Sequence, residues 1–383
     1  VSEEHVGELS FVRVYSGTLG HNVDALNTSQ DASERIGKSF FLVGHEKTDA
    51  VHIRAGDIGA LVKLRNTHTG DTLANPERPV ILAQASWPTA NIQLAVSPKT
   101  KGDEDKLGSG LHRLHEEDPS FTHVVDGEVN QTLISGQGEL HLGVKVKQLK
   151  DRFGVEVETD EPLIAYRETI RKKAESHYRH KKQTGGRGQF GDVHLRIEPL
   201  PRGGGYEFDS AVVGGVIPGK FIPAVEKGVV EALTAGTIAG ATIVDVKATV
   251  FDGSHHAVDS SEIAFKLAGL NAFRQAMEQA SPVLLEPIYD IEVTVPEEFM
   301  GDVMGDLTSR RGRIGGMDAN GPFQVIHAHV PLGSLYRYST DLRSMTGGRG
   351  FYKREFTHYE DVPSDVAKQI VEDIQKEREE EEE

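Results

Sequence analysis

The chain has 383 residues, 37% hydrophobic and 26% charged, which excludes a single small core and supplies apolar material for two to four soluble domains. It has no cysteine, so disulfides and thiolate metal centres are excluded, and no apolar run long enough for a bilayer; a cytoplasmic protein without membrane contact is expected. A formal net charge of −17 excludes a broadly basic nucleic-acid-binding surface, so any contact with a polyanion must come from local patches.

Over 1–78 the short runs LSFVRVYSG, VDALNT, GKSFFLVG and DIGALVKL, with little helical periodicity, predict a small β-barrel, incomplete at its start. Gly37-Lys38-Ser39 resembles the end of a phosphate-binding loop. Ala32 stands five positions before Gly37, however, and no helix pattern follows, so the segment reads as a strand.

Over 79–160 the order is strand, helix, strand, strand, helix, strand. The first helix starts near Asp103, carries Leu107, Leu111 and Leu114 on one face, and stops at Asp118-Pro119. THVV, an Asp126-Gly127 turn and VNQTLIS signal a hairpin. The second helix shows Leu142, Val146, Leu149 and Phe153 on one face and ends at Gly154, before VEVE. This βαββαβ order predicts a ferredoxin-like fold.

Residues 161–287 carry the main charge anomaly. Between the strand patterns LIAYRETI and FGDVHLRIEPL, seven cations (Arg171, Lys172, Lys173, Arg179, Lys181, Lys182, Arg187) meet one acid, Glu175, within 171–189. With His177, Tyr178, His180 and the glycines around Arg187, this run reads as a loop suited to a phosphate backbone: cations neutralise it, rings stack, and glycine permits close approach. The bland alternative is a solvated basic loop. A helix from Pro218 to about Leu233, a strand IVDVKATVF and a second loop, Asp252-Gly253-Ser254-His255-His256, follow. Asp259-Ser260-Ser261-Glu262 reads as a capping box opening a helix with Ile263, Leu267 and Leu270. Both loops interrupt strands and can meet at one end of the sheet.

Residues 288–365 repeat the βαββαβ order: YDIEVTV, a helix from Pro296 to about Arg311, a strand near 312–317, PFQVIHAHV, a helix around 334–344 and FYKREF. Residues 366–383 read as an acidic helical tail. The paired histidines, His112 with His115, His177 with His180, His255 with His256 and His327 with His329, have no third ligand at a zinc spacing, so no metal is expected. No carboxylate pair reads as a catalytic dyad, so no catalytic residue is assigned.

At this point the residues match a known family. VRVYSG, RAGDIGA, THTGDTL, EEDPSF, NQT, GELHL, AYRETI, QTGGRGQFG, VGGVIP, DGSHHAVDSSE, LEPI, GDVMGDL, SRRG and TDLRSMTGGRG, in this order, resemble bacterial elongation factor G. The resemblance implies domains two to five: a β-barrel, two ferredoxin-like domains and, between them, a ribosomal-protein-S5-like domain. It also implies that a GTP-binding domain, missing here, would hold GTP and magnesium, this chain holding no cofactor and catalysing nothing alone. The chain is then expected to be a piece of a longer, monomeric protein.

The implied function is translocation of tRNA and mRNA on the ribosome, with ribosomal RNA, tRNA and mRNA as partners and the tip of the fourth domain in the decoding region. Matching positions for that tip are Lys181, Lys182, Gly185, Gly186, Arg187, Gly188, Gln189, His255 and His256. In the fifth domain the resemblance implies RNA contacts by Arg310, Arg311, Arg313, Arg343 and Arg349, and in the third a relay to the GTP-binding domain through Glu117, Asp118 and Glu139. Two positions depart from the pattern: His255, commonly an aromatic, and Ala257, usually an acid. A paralogue acting in ribosome recycling or rescue is therefore one alternative, and a GTPase-free ribosome-binding regulatory module is another.

Overall fold

The computed structural model describes residues 2–3, 7–44, 46–88, 90–183 and 188–382, the side chains of 2–3, 7–8, 375 and 377–382 excepted. The chain divides into two units, Val1–Leu163 and Ile164–Glu383.

In the first unit the short strand-like runs form β1 (Ser2–Glu3), β2 (Gly7–Arg13), β3 (Thr18–Gly20), β4 (Val23–Asn27), β5 (Ala32–Ile36), β6 (Ser39–Val43), β7 (Glu46–Asp49), β8 (His52–Arg54), β9 (Ile58–Val62) and β10 (Leu73–Ala74). They pair as β1-β2-β9-β6-β7, β10-β4-β5 and β3-β8, and Ile36, Ile53 and Leu61 are fully buried among them. Ser39 opens β6 and donates its hydroxyl to the Ala50 carbonyl at 2.6 Å, so the Gly-Lys-Ser run is indeed strand entry. Two buried polar side chains tie down the segment containing THTGDTL: Glu34 accepts from the Arg65 and Asn66 amides and the Thr67 hydroxyl, and Asn27 donates to Asn66 O and Asp71 Oδ2. Their burial is tolerated because these partners satisfy them.

The same unit continues with β11 (Ile92–Pro98), α1 (Glu104–Glu117), β12 (Thr122–Asp126), β13 (Gln131–Gly136), α2 (Glu139–Phe153) and β14 (Val157–Asp160). The sheet order β12-β13-β11-β14 is the ferredoxin-like split βαβ. Leu107, Leu111 and Leu114 of α1 are buried with Leu142 and Leu149 of α2, as helical spacing dictates. Gly154, at φ 66°, ends α2 in the left-handed conformation that favours glycine.

The second unit runs β15 (Arg167–Ile170), β16 (Ala174–Lys182), β17 (Gln189–Pro199), β18 (Tyr206–Ser210), α3 (Ile222–Ala235), β19 (Val246–Ser254), α4 (Glu262–Gln279) and β20 (Pro282–Pro296). After these come α5 (Met300–Ser309), β21 (Arg313–Asn320), β22 (Phe323–Pro331), α6 (Tyr338–Met345), β23 (Phe351–Asp361) and α7 (Ser364–Glu382). One sheet has the order β16-β17-β19-β18. Its inward residues Val193, Leu195, Ile197, Ala248 and Val250 pack with Val225, Val229, Phe265 and Phe273 of α3 and α4.

Several expectations need correction here. The basic run is mostly strand: β16 pairs residue for residue with β17 from Ala174↔Ile197 to Lys182↔Gln189, because its alternation of buried Ala174 and Ser176 with exposed Glu175 and His177 suits a sheet with one covered face. The preceding strand is not part of this hairpin; β15 pairs with the start of β20. Ser261, not Asp259, caps α4, accepting from the Ala264 amide at 3.2 Å, and Ile263 is exposed while Ala264, Phe265 and Ala268 face the core.

The second βαββαβ region forms around β20, with β22 and then β21 on one side and β23 on the other. β20 continues through residue 287, and its pairing with β23 shifts register between Ile288 and Tyr289. The helix expected to reach Arg311 ends at Ser309, since Arg311 adopts φ 62°. That expected around 334–344 starts at Tyr338, after Arg337 at φ 55°. α7 seats Val366, Ala367, Ile370, Val371 and Ile374 against Ala239, Leu284 and Val362, so the tail helix is packed in its first turns.

Candidate nucleic-acid interface

The hairpin β16–β17 alternates an inward row with an outward row of Glu175, His177, Arg179 and Lys181 opposite Arg196, His194, Asp192 and Phe190. Most of the outward charge is matched. Arg196 meets Glu175 at 2.8 Å, Lys173 meets Glu198 at 3.1 Å, and Arg171 meets Asp361 at 2.6 Å. Asp192 receives Arg179 and the Ser254 hydroxyl on one oxygen, at 2.9 and 2.8 Å, and His177 on the other at 2.6 Å. Burial alone would raise the Asp192 pKa, but the contacts with Ser254, His177 and Arg179 outweigh it and hold the carboxyl below its ordinary value.

Pairing stops toward the hairpin's end. Lys181 and Lys182 are exposed and have no carboxylate partner among the described residues. Gln189 Oε1 stands 2.9 Å from His180 Nε2 across the strand pair. Gly185, Gly186 and Arg187 lie outside the described residues.

The second loop meets the hairpin there. Asp252–Ser254 are the last residues of β19, and the chain then turns at His256–Ser260. Ser260 accepts the His256 amide at 2.9 Å and donates its hydroxyl to Phe190 O at 3.0 Å. Asp259 accepts the Gly188 amide at 3.1 Å through its side chain and the Phe190 amide at 2.9 Å through its carbonyl. A Cβ on Gly188 would stand 3.0 Å from the Asp259 carboxyl carbon, so this close approach favours glycine. His256 is exposed, with Nδ1 3.4 Å from Asp259 Oδ2 and its ring 6.3 Å from Phe190. His255 is exposed and bonds Val216 O at 3.0 Å.

The structure therefore brings Lys181, Lys182, Gly188, Gln189 and His256 together, and adds Asp259 and Ser260, which sequence reasoning treated as helix-capping residues. Their cue was the turn chemistry of Asp and Ser, but the capping-box pattern absorbed it. This arrangement offers exposed ammonium groups and imidazoles on a braced backbone, a surface chemically suited to phosphate and sugar oxygens.

Most of the other candidates are held by intramolecular partners. Arg310 bonds Asp306, Asp341 and Ser334 O and lies over Tyr338. Arg311 grips buried Glu286 with two bonds of 2.7 and 2.8 Å. Arg313 meets Glu360 at 2.8 Å, and Arg349 meets Glu298 at 2.7 Å and covers the Phe299 ring. Arg343 is exposed on the last turn of α6. In the first unit Glu117 binds Arg152 through both oxygens, and Asp118 holds His141 and buried Lys145, each at 2.9 Å. Burial opposes ionisation of Asp118, yet Ser120, Lys145 and His141 together keep its pKa well below the usual carboxylate range. Glu139 is exposed at the start of α2.

Four family models match consecutive segments: elongation factor G domain 2 over 2–75, domain III over 87–161, domain IV over 162–281 and the C-terminus over 283–370. A protein of Thermus thermophilus, known from its crystal structure, is similar at 40% identity and a TM-score of 0.81. That match covers 97% of this chain and 56% of the other, so the chain spans about half the length of that relative. The chain belongs to the elongation factor G family and comprises its domains II to V.

Proposed function

We propose that this chain is the ribosome-binding portion of a GTP-dependent elongation factor that promotes translocation of tRNA and mRNA. The end of hairpin β16–β17, with the turn His256–Ser260, enters the decoding region and contacts RNA. GTP and magnesium belong to a GTP-binding domain outside this chain, and the cytoplasm is where such a factor works. The observation carrying this reading is local: cation pairing along the hairpin reaches Arg179 and ends at Lys181 and Lys182, at the point where Asp259 and Ser260 brace the hairpin.

The test replaces Lys181, Lys182 and Arg187 with alanine in the protein carrying its GTP-binding domain. Translocation should slow, and the salt dependence of ribosome binding should flatten by roughly 0.7 to 0.9 per lost phosphate contact. Unchanged translocation kinetics with an unchanged salt slope would overturn the reading.

The departures at His255 and Ala257 favour a second reading, a paralogue that serves ribosome recycling or rescue with the same domains. Exchanging 252–258 for a loop with an aromatic and an acid at those two places should then raise elongation activity. No gain after the exchange counts against it.

A further inference from the structure

The expectation of a metal-free chain rests on linear spacing and on the lysine and arginine neighbours of the histidines, and the hairpin register joins residues that spacing leaves apart. His177 of β16 stands directly opposite His194 of β17, and Asp192 lies one same-face position along. All three project from the face away from α4, whose Ala272 carbonyl takes the inward Ser176 hydroxyl at 2.6 Å. One ligand atom from each of the three lies within 4.8 Å of the other two.

We propose that His177, Asp192 and His194 bind one divalent cation of the zinc, cobalt, nickel and copper class on the face of this sheet away from α4. The donor set fixes the class. Two imidazoles and one carboxylate, in a chain without cysteine, suit these borderline metals, whereas calcium and magnesium demand oxygen donors.

The geometry is near that of a site. In a tetrahedral centre with bonds of about 2.1 Å the ligand atoms stand about 3.4 Å apart. Here His177 Nε2 and Asp192 Oδ1 are 2.6 Å apart, close enough to share a proton, while all three ligand atoms fall within 4.8 Å. A metal replacing the shared proton would widen the first separation, and rotation of the two rings, now stacked at 4.0 Å and 11°, would close the others.

Asp192 is already oriented for the task. Arg179 and Ser254 occupy Oδ2, which leaves Oδ1 to the His177 imidazole, the arrangement by which outer hydrogen bonds aim a ligand. Arg179 also offsets the carboxylate charge, which weakens affinity without blocking Oδ1. Three protein ligands leave a fourth position for water. The bound ion would join β16 to β17 below the Lys182↔Gln189 pair and so hold the end of the hairpin in register.

The experiment titrates the untagged full chain with cobalt(II) chloride, following visible absorption and counting bound metal after dialysis. One ion per chain with a tetrahedral absorption band is expected. His194→Ala and His177→Ala should each abolish the band while leaving the far-ultraviolet circular dichroism of the metal-free protein unchanged. Ser254→Ala should weaken binding by about tenfold. His112→Ala, which removes another of the chain's 17 histidines, should leave the band intact. A wild-type chain without the band, or a band that survives His194→Ala in folded protein, overturns the assignment.

Discussion

The hairpin β16–β17 and the sheet around β20 both carry many cations and use them differently. Around β20 the guanidinium groups of Arg310, Arg311, Arg313 and Arg349 all end on carboxylates of the same sheet and its helices. Along the hairpin such pairing reaches Arg179 and, among the described residues, ceases at Lys181 and Lys182. In this protein a cation matched by a local acid is part of the architecture, and a cation left unmatched at the end of a braced element is available to another molecule. Count alone, as in the seven cations of 171–189, does not separate the two cases.

The strongest test of that distinction is Arg311. Its partner Glu286 is buried, so Arg311→Ala would leave a carboxylate without a counter-charge and should cost about 3 kcal/mol of unfolding free energy, read from the urea midpoint. A loss below about 0.5 kcal/mol, the usual range for an exposed site, would break the comparison.

Asp192 probes the paired half of the hairpin. Its folded carboxyl binds a proton more weakly than the unfolded one, because its contacts with Ser254, His177 and Arg179 outweigh the burial that would favour protonation. As pH falls below about 4 the unfolded chain therefore takes up the proton first, and the stability this group contributes at neutral pH is lost as pH drops through its lower folded value. Asp192→Asn should cost about 2 kcal/mol at neutral pH and flatten the acid limb of the stability curve. An acid limb as steep as that of the unsubstituted chain would show that Asp192 is not linked to folding in this way.

Element type was legible where periodicity was strong. Leu107, Leu111 and Leu114 at helical spacing place α1, and Gly154 ends α2 at the position where only a left-handed residue continues the chain. What escaped depends on partners distant in sequence. The basic run looks like a loop because its lysines have weak strand preference, yet β17 pairs with it from Ala174 to Lys182. Asp259 and Ser260 fit a capping box locally, but the hairpin claims both and leaves the cap to Ser261. Of the implied tip, Gly188, Gln189 and His256 fall together in space, while Arg310, Arg311, Glu117 and Asp118 prove to be tied within their own domains, something a motif cannot reveal without the acids and bases that meet them.

The smallest effect on stability makes the most direct comparison of the two regions. Arg313 is 74% exposed in its pair with Glu360, and Lys181 and Lys182 are exposed without a carboxylate pair among the described residues. Arg313→Ala and the double substitution Lys181→Ala, Lys182→Ala should each change unfolding free energy by no more than about 1 kcal/mol, because exposed charges contribute little to folding. Their effects on ribosome binding should diverge. Loss of the two lysines removes cations available to phosphate and should lower the salt slope by roughly 1.4 to 1.8, whereas loss of Arg313 should leave it unchanged, since that guanidinium is already neutralised by Glu360. Equal slopes for the two variants would mean that local pairing does not decide which cations are available to phosphate.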